Sequence, residues 1–275
     1  MAWLPAFSWE MVSAFSFYYP LFMAYLWMTG AIYYFFRYER TPTRDVNQPP
    51  KLAAYPKVSV VVPCFNEEGQ IEEVMASLMN LNYPNFNVVA VNDGSSDRTG
   101  ELLDQLNELC PNLRVIHLAK NQGKAIALNT GCQLTDAEYV VCIDGDAMLD
   151  PCSIDWLMMH MDSPRVAAVT GNPRVRTRST LLGRIQVGEF SSIVGLIKRA
   201  QRTYGRLFTV SGVVALFRQQ ALREVGYWSP NMLTEDVDIS WKLQSRHWDV
   251  RFEPRALCWI LMPETLRGLW RQRLR

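Results

Sequence analysis

Short apolar runs alternate with helical patterns through the middle of the chain. Five of these runs are rich in β-branched residues and predict strands. The predicted strands span 57–63, 86–92, 113–118, 138–144 and 166–170. Stretches with helical periodicity separate them, at 67–80, 97–109, 123–134 and 153–161. Because the strand runs are continuously apolar and alternate with helices, they predict a doubly wound α/β sheet that is covered on both faces.

An uncharged stretch of 22 residues, 15–36, precedes this alternating region. It is long enough to cross a bilayer, and three arginines, Arg37, Arg40 and Arg44, follow it directly. The positive-inside rule then predicts a transmembrane segment with a short N-terminal flank at 1–40, and everything after it in the cytoplasm. The alternative is a hydrophobic helix that docks on a soluble core.

Composition and charge exclude several classes of site. The formal net charge is +1, which provides no overall attraction for nucleic acid. The six cysteines form no C-x-x-C pair, which favours reduced thiols in a cytosolic domain, and with three histidines a zinc site is not expected. The segment 164–206 contains nine basic residues and a single acid, Glu189. It is either a solvated face or a surface for phosphates or lipid headgroups.

Four clusters of acidic or amide residues occur along the chain, and three of them directly follow predicted strands. They lie at 63–68, 92–97, 144–146 and 234–236. Ligands of a doubly wound sheet bind beyond the carboxyl ends of its strands, so the clusters are expected to meet in one crevice. Gathering carboxylates there is costly unless a cation lies among them. Asp144 and Asp146 therefore predict Mg²⁺ or Mn²⁺, shared with a diphosphate.

The glycine-rich loop of P-loop nucleotidases does not occur in the sequence. Gly123 and Lys124 lack the preceding glycine of that motif, and Ala125 stands where the motif has Ser or Thr. A nucleoside diphosphate held by a metal ion is therefore the simpler interpretation. A single Asp-Gly pair such as Asp93–Gly94 would indicate only a turn, whereas several acidic clusters on one sheet edge favour a ligand site.

Eight stretches of the chain match motifs of a known family. They are VPCFNEE (62–68), VNDGSSD (91–97), NQGKAIALNTG (121–131), CIDGDA (142–147), TGNPRVRTRSTLLGRIQVGEFSSIVGLIKR (170–199), FTVSGV (208–213), TEDVDISWKLQ (234–244) and EPRALCWILMPETLRGLWRQRLR (253–275). Through them the chain resembles the family 2 glycosyltransferases of GT-A fold. Within that family it is most similar to bacterial synthases of a β-1,6-linked N-acetylglucosamine polymer found in biofilms. The long basic stretch and the ILMPETL segment indicate these synthases in particular.

The resemblance implies a role for each matching residue of the site. It makes Asp236 the general base and Asp146 the ligand of the divalent metal. The residues that it places around the nucleotide sugar are Cys64, Phe65, Asn66, Glu67, Asp93, Lys124, Asp144, Gln272 and Arg275. Those that it places at the acceptor sugar are Ser211, Gly212 and Glu235. Gln272 and Arg275 match the first and fourth positions of the family's Gln-x-x-Arg-Trp motif, whose last residue would follow Arg275.

The resemblance also implies a domain layout. A GT-A glycosyltransferase domain with a mixed, mostly parallel sheet is expected at 57–262, after the transmembrane segment and a proline-rich linker at 41–56. Residues 263–275 are expected to begin an amphipathic helix that lies on membrane lipid, with an ordinary surface helix as the alternative. Further membrane helices are expected beyond Arg275.

The implied activity is that of a membrane-bound, inverting glycosyltransferase. It would polymerise N-acetylglucosamine from UDP-N-acetylglucosamine into a β-1,6-linked biofilm exopolysaccharide, at the bacterial inner membrane with its catalytic domain in the cytoplasm. The implied partners are the growing polysaccharide, membrane lipid and a small membrane subunit, and nucleic acid is not among them.

Alternative functions fit the same motifs. A related synthase of chitin, hyaluronan or cellulose type would share the fold and differ in its donor, as would an enzyme that acts on a lipid carrier. A non-catalytic nucleotide-binding membrane scaffold would keep the fold without the reaction, and a transport subunit would need more membrane helices. Trp241 and Trp259 either stack on sugar rings or pack in the core.

Overall fold

One mixed sheet organises the part of the chain that the structure describes. The computed structural model describes residues 9–40, 45–177, 179–262, 265–267 and 269–270. The strands are β1 (Val58–Cys64), β2 (Phe86–Asn92), β3 (Leu113–His117), β4 (Tyr139–Ile143), β5 (Ala147–Leu149), β6 (Val166–Val175), β7 (Val214–Arg218) and β8 (Asp249–Ile260). Their order across the sheet is β3-β2-β1-β4-β7-β6-β8-β5.

Helices cover both faces of this sheet. They are α1 (Trp9–Tyr34), α2 (Ile71–Met79), α3 (Thr99–Leu109), α4 (Lys124–Gln133), α5 (Ser153–Met158), α6 (Leu181–Phe190), α7 (Lys198–Tyr204), α8 (Gln219–Val225) and α9 (Glu235–Ser245). Two π-helical segments accompany them: Phe35–Glu39 extends α1, and Ser191–Ile197 joins α6 to α7.

The strands β3, β2, β1 and β4 form the parallel half of the sheet. Residues of β1 alternate between two cores: Val60 and Val62 pack into one hydrophobic cluster, and Val61 packs into the other. Burial on both faces explains why these strands appear in the sequence as unbroken apolar runs. The predicted strands and helices between residues 57 and 170 form within a few residues of their expected bounds.

The strands β7, β6, β8 and β5 form the other half, in which two of the three neighbouring pairs are antiparallel; a further antiparallel pair, β4 with β7, joins the two halves. β7 runs antiparallel to both β4 and β6, and β5 runs antiparallel to β8, while β6 and β8 are parallel. The predicted mixed sheet is thus confirmed. Ile143 stands opposite Val214, so the beginning of β7 lies beside the carboxyl end of β4. This register brings two distant parts of the sequence to one sheet edge.

The helix α1 packs along α7. Tyr204 donates a hydrogen bond from its hydroxyl to the Leu26 carbonyl (2.7 Å), and the Thr203 hydroxyl donates to the Gly30 carbonyl (2.9 Å). A Cβ on Gly30 would lie 2.6 Å from the Tyr204 ring, so glycine permits this close approach. The packing matches the alternative in which a hydrophobic helix docks on the core.

The predicted transmembrane segment requires a correction. Among the described residues, no helix combines the length and the apolar character that a membrane crossing needs. A helix does form over 15–36, but that stretch contains five tyrosines, a tryptophan and a proline. These residues lower its mean hydropathy although none of them is charged. The absence of charge was therefore an insufficient criterion for a span.

Candidate active site

The loops after β1 and β2 lie together at the carboxyl ends of their strands. The Asn66 amide N–H donates to the Ser95 hydroxyl (3.1 Å), and the Ser96 amide N–H donates to the Asn66 side-chain oxygen (2.9 Å). Glu67 adds a hydrogen bond from its backbone N–H to the Thr99 hydroxyl (2.8 Å). These reciprocal bonds fix Asn66 in the left-handed region, with φ at +56°, where asparagine is tolerated.

Two neighbouring residues at the carboxyl end of β1, Cys64 and Phe65, have opposite exposure. Phe65 is exposed, so its ring is accessible to a ligand. Cys64 is fully buried, and burial raises the pKa of its thiol well above the ordinary value. Its side chain belongs to the core, so any contact that Cys64 makes with a ligand involves its backbone.

Asp93 is buried and holds the loop before α4. Its two carboxylate oxygens accept hydrogen bonds from the backbone N–H groups of Gln122 and Gly123, each at 2.8 Å. Gly94, with φ at +63°, follows Asp93 and lies against the backbone of Asn121. Asp93 thus holds the loop that leads into Lys124. The sequence had not suggested this role for Asp93.

Lys124 lies at the centre of the candidate site. Its Nζ is 2.6 Å from the Asp144 carboxylate, 3.1 Å from the Glu235 carboxylate and 3.1 Å from the Gly212 carbonyl oxygen. Burial alone would lower the pKa of Lys124, but Asp144 and then Glu235 raise it above its ordinary value. One ammonium group therefore joins the predicted donor residues to the predicted acceptor residues.

The Asp144–Gly145–Asp146 turn presses against the end of β1. A Cβ on Gly145 would lie 2.8 Å from the Pro63 carbonyl oxygen, which explains the glycine between the two acids. Burial raises the pKa of Asp144, and Lys124 opposes that effect. Burial also raises the pKa of Asp146, and the nearby negative charge of Asp144 adds to the shift.

These raised pKa values indicate carboxylates that a further cation would stabilise. Within the described residues, no group of three or more His, Cys, Asp or Glu side chains is placed to enclose a metal ion. Mg²⁺ typically binds through one or two carboxylates together with waters and substrate phosphates. The residues around Asp146 therefore fit an ion shared with a diphosphate, and they do not form a closed protein cage.

Asp236 lies in the first turn of α9, next to Glu235. It shares one small cavity with Lys124, Ser211, Gly212 and Glu235. A Cβ on Gly212 would lie 3.9 Å from a carboxylate oxygen of Asp236, so the glycine borders this carboxylate directly. The structure thus brings the predicted base, acceptor residues and central lysine together.

Other residues in and around α9 have structural partners. Asp238 accepts hydrogen bonds from the Ser229 backbone N–H and pairs with Lys242, so it anchors α9. Trp241 is exposed, and its indole N–H donates to the Phe208 carbonyl (3.2 Å). Gln272 and Arg275 are outside the described residues.

Sequence reasoning missed the residues that support the predicted acceptor segment. Thr170 accepts a hydrogen bond from the Ser211 backbone N–H (2.7 Å), and the buried Lys198 donates to the Thr209 carbonyl (2.7 Å). The one available signal was a lysine directly after the uncharged run 191–197.

Comparison with known proteins gives a consistent result. Residues 59–226 match the family model described as "Glycosyl transferase family 2". The chain is 40% identical over 259 residues to a poly-beta-1,6-N-acetyl-D-glucosamine synthase of Staphylococcus epidermidis, and 39% identical over 263 residues to one of Staphylococcus aureus. Each alignment covers 94% of this chain and 63% of the relative, so the chain spans less than two thirds of their length.

A solved structure shares the fold. A mannosyltransferase from Pyrobaculum calidifontis, determined in complex with GDP-Man and Mn²⁺, superimposes with a TM-score of 0.69 at 22% sequence identity. The match covers 92% of this chain and 71% of that protein. The likeness confirms the predicted glycosyltransferase fold of GT-A type.

Proposed function

Because this chain belongs to glycosyl transferase family 2, we propose that it is the catalytic part of an inverting synthase. The proposed reaction transfers N-acetylglucosamine from UDP-N-acetylglucosamine onto a growing β-1,6-linked polysaccharide. The observation that carries the proposal is the cavity where Asp236, Lys124 and Gly212 meet beside Asp144. The names of the staphylococcal relatives support this choice of donor and polymer.

The donor side of the proposed site lies on the parallel half of the sheet. Phe65, Asn66 and Glu67 would border the uridine, and Asp144 would contact the ribose or the diphosphate. Lys124 already binds two carboxylates and a carbonyl, and a diphosphate would offer its ammonium group oxygens of the same kind. Asp93 would contribute indirectly, because it holds the loop that leads into Lys124.

Asp146 would hold Mg²⁺ or Mn²⁺ together with phosphate oxygens of the donor. When bound, such an ion supplies positive charge that stabilises the leaving diphosphate. The position of Asp144 and Asp146 supports this assignment: they lie two residues apart at one strand end, and burial raises the pKa of both carboxylates. The Mn²⁺ in the mannosyltransferase complex is consistent with it.

The proposed transfer is a single displacement. Asp236 accepts the proton of an acceptor hydroxyl while that oxygen bonds to the anomeric carbon, and the bond from this carbon to the UDP oxygen breaks. UDP leaves with the bonding electron pair, and one displacement converts an α-linked donor into a β-glycoside. A positioned general base typically contributes about 10²–10⁴-fold to such a rate.

We also propose that the protein works at the bacterial inner membrane, with its catalytic site on the cytoplasmic side. The outer face of α1 exposes large apolar side chains, including Phe15, Phe22 and Tyr25, and α6 exposes Leu181 and Ile185. Extended apolar surface of this kind typically contacts a lipid or another protein. If these side chains contact membrane lipid, the cavity lined by Ser211, Gly212 and Asp236 would lie near the membrane that the growing polymer must cross. The small membrane subunit remains a prediction from the family resemblance.

The test is UDP release by the protein as its host produces it, with Mg²⁺ or Mn²⁺. UDP-N-acetylglucosamine, UDP-glucose and UDP-glucuronate are offered separately. Asp236→Asn removes the base, and Asp136→Asn is the matched control because Asp136 is an exposed carboxylate paired with Lys57. We expect release from UDP-N-acetylglucosamine alone, lost only in Asp236→Asn.

Other outcomes would change the proposal in defined ways. Release from another donor would keep the reaction and reassign the polymer to a chitin, hyaluronan or cellulose type. UDP binding without release from any donor would favour the non-catalytic scaffold. Full release by Asp236→Asn would remove Asp236 from the role of base.

A further inference from the structure

We infer that Lys198, a residue outside the proposed catalytic cavity, positions the acceptor side of the reaction and provides the charge that complements Asp236. The inference rests on the proposed function, since it concerns the same site. It assigns Lys198 as a positioning residue that acts through the segment 207–211 and through Asp236, without touching the substrate. We call residues 207–211 the acceptor-side segment.

Side chains from three elements hold the backbone of the acceptor-side segment. Three side chains donate to backbone carbonyls of the segment: Gln244 to Leu207 (2.7 Å), Trp241 to Phe208 (3.2 Å) and Lys198 to Thr209 (2.7 Å). On the N–H side, Phe208 donates to Gln201 (3.2 Å), Val210 to Ser240 (2.8 Å) and Ser211 to Thr170 (2.7 Å). The segment is thus positioned residue by residue by β6, α7 and α9.

Lys198 is the charged member of this set, and the other five side chains are neutral. It is 7% exposed, and among the described residues no carboxylate lies within 4 Å of its Nζ. Burial lowers the pKa of Lys198 to about 8, and the negative charge of Asp236 opposes that shift. Burial therefore destabilises the charged form of Lys198, and the negative charge of Asp236 partly offsets that effect.

Hydrogen bonding to Thr209 alone does not explain a lysine at this position. Neutral donors satisfy the carbonyls of Leu207 and Phe208 in the same segment, and burying a charge is more costly than burying an amide. The positive charge of a lysine there is explained if it stabilises a nearby negative charge. In the proposed reaction that charge is Asp236, which must be ionised before it can accept the proton of the acceptor hydroxyl.

The segment and the base are also joined mechanically. The Ser240 hydroxyl accepts from the Val210 N–H and donates to the Asp236 carbonyl (2.6 Å). Thr209, which Lys198 binds, lies next to Val210, so a displacement at Lys198 reaches the backbone of Asp236 through one side chain. Lys198 therefore influences both the position and the charge balance of the proposed base.

Lys198→Met tests the inference, because methionine keeps much of the length and removes the charge. We expect kcat for UDP release to fall by about tenfold or more, which is less than the full contribution of about 10²–10⁴-fold from a general base, because Asp236 itself is kept. The KM for UDP-N-acetylglucosamine should stay within about twofold, while the KM for a β-1,6-linked N-acetylglucosamine oligosaccharide rises. The melting temperature should be unchanged or higher, since a buried charge has been removed.

Three further variants make the result decisive. Lys198→Arg keeps the charge and should recover part of kcat, whereas Lys198→Gln keeps a hydrogen-bond donor without charge and should not. Lys242→Met is the matched control: this lysine of α9 pairs with Asp238 and binds Ser229, so its loss should lower the melting temperature and leave kcat unchanged. If Lys198→Met does not fold, Lys198→Gln decides the question.

Two outcomes would overturn the inference while the wild type releases UDP. The first is a kcat within twofold of wild type in Lys198→Met or Lys198→Gln. The second is a lower melting temperature with unchanged kcat in the folded fraction, which would make Lys198 purely structural. Absence of UDP release by the wild type would instead overturn the proposed function, and the inference with it.

Discussion

The parallel and antiparallel halves of the sheet support the candidate site by different means. On the parallel half, short loops directly after β1 and β2 bind one another, with Asn66 and Asp93 accepting hydrogen bonds from backbone N–H groups. On the antiparallel half, side chains of the helices α7 and α9, including the buried Lys198, hold the segment before β7. The donor side is thus held by side chains of its own strand-end loops, while the acceptor side depends on side chains of packed helices.

Lys124 is the point where the two halves meet, and its removal should have the largest effect. Lys124→Met leaves Asp144 and Glu235 without their shared cation. We expect a loss of about 3 kcal/mol in unfolding free energy. This value is at the lower end of the range for breaking a buried ion pair, because these side chains are partly exposed. UDP release should become undetectable. Urea titration and the UDP-release assay measure the two effects.

Lys120→Met is the control for that prediction, because Lys120 is an exposed lysine in the loop before α4. It should keep both stability and UDP release. Wild-type stability in Lys124→Met would show that the carboxylates need no cation, and the two halves would then be independent.

The pH dependence of stability sharpens the comparison on the acceptor side. Lys198 has a pKa of about 8 in the folded protein and about 10.4 when unfolded, so the unfolded state binds more protons between these values. Stability attributed to Lys198 is therefore lowest below pH 8 and recovers as the pH rises towards 10.4. The full difference is on the order of 3 kcal/mol.

Urea unfolding of the wild type and Lys198→Met at pH 7 and pH 10 measures this effect as a difference. The wild type should gain stability relative to the variant at the higher pH. Identical changes in both proteins would mean that Lys198 titrates normally, and its burial would then carry no energetic cost.

A prediction for the donor side uses the backbone. Gly94→Ala places a Cβ 2.5 Å from the Asn121 backbone nitrogen, at a φ of +63°. We expect a loss of about 1–3 kcal/mol in unfolding free energy, because the obstructing atoms are backbone and the conformation disfavours alanine. Gly69→Ala is the control, since its Cβ meets open space. Equal denaturation midpoints for the two variants would contradict the close packing of Gly94 against the loop before α4.

The smallest expected effect concerns the contact of α1 with α7. Gly30→Ala places a Cβ 2.6 Å from the Tyr204 ring, which is partly exposed and can move. We expect a loss of about 1 kcal/mol, together with faster proteolysis of α1. Gly188→Ala, whose Cβ meets open space in α6, should instead be neutral or slightly stabilising. Unchanged proteolysis in Gly30→Ala would mean that α1 docks through other contacts.

The sequence predicted the parallel half well because its strands are buried on both faces. A strand such as β1 then consists of consecutive apolar residues, and its polar loop begins where the apolar run stops. In contrast, β8 alternates buried and half-buried residues and contains Arg251, Glu253 and Pro254, so it did not stand out as a strand. Its tertiary pairing with β6 and β5 explains why it forms a strand.

The candidate site was predicted unevenly for the same reason. Asp144, Asp146 and Asp236 follow recognisable motifs, and the structure brings Asp236 and Asp144 to the same region through Lys124 and Glu235. Nothing near Lys198 in the sequence points to Thr209, because their contact depends on how α7 packs. The roles of the individual site residues remain predictions, and the transmembrane interpretation was wrong because charge was considered without hydropathy.

The direction of β7 has a consequence for how such enzymes diversify. Because β7 runs antiparallel to β4, the catalytic edge receives the beginning of this strand, so Ser211 and Gly212 belong to a connection that no donor strand shares. That connection touches the donor side at two points: the Asp144 backbone N–H donates to the Val213 carbonyl (3.2 Å), and Lys124 donates to the Gly212 carbonyl (3.1 Å). Under the proposed function, changes of residues 207–211, which precede these two contacts, can alter acceptor preference without altering the strands that carry the donor loops.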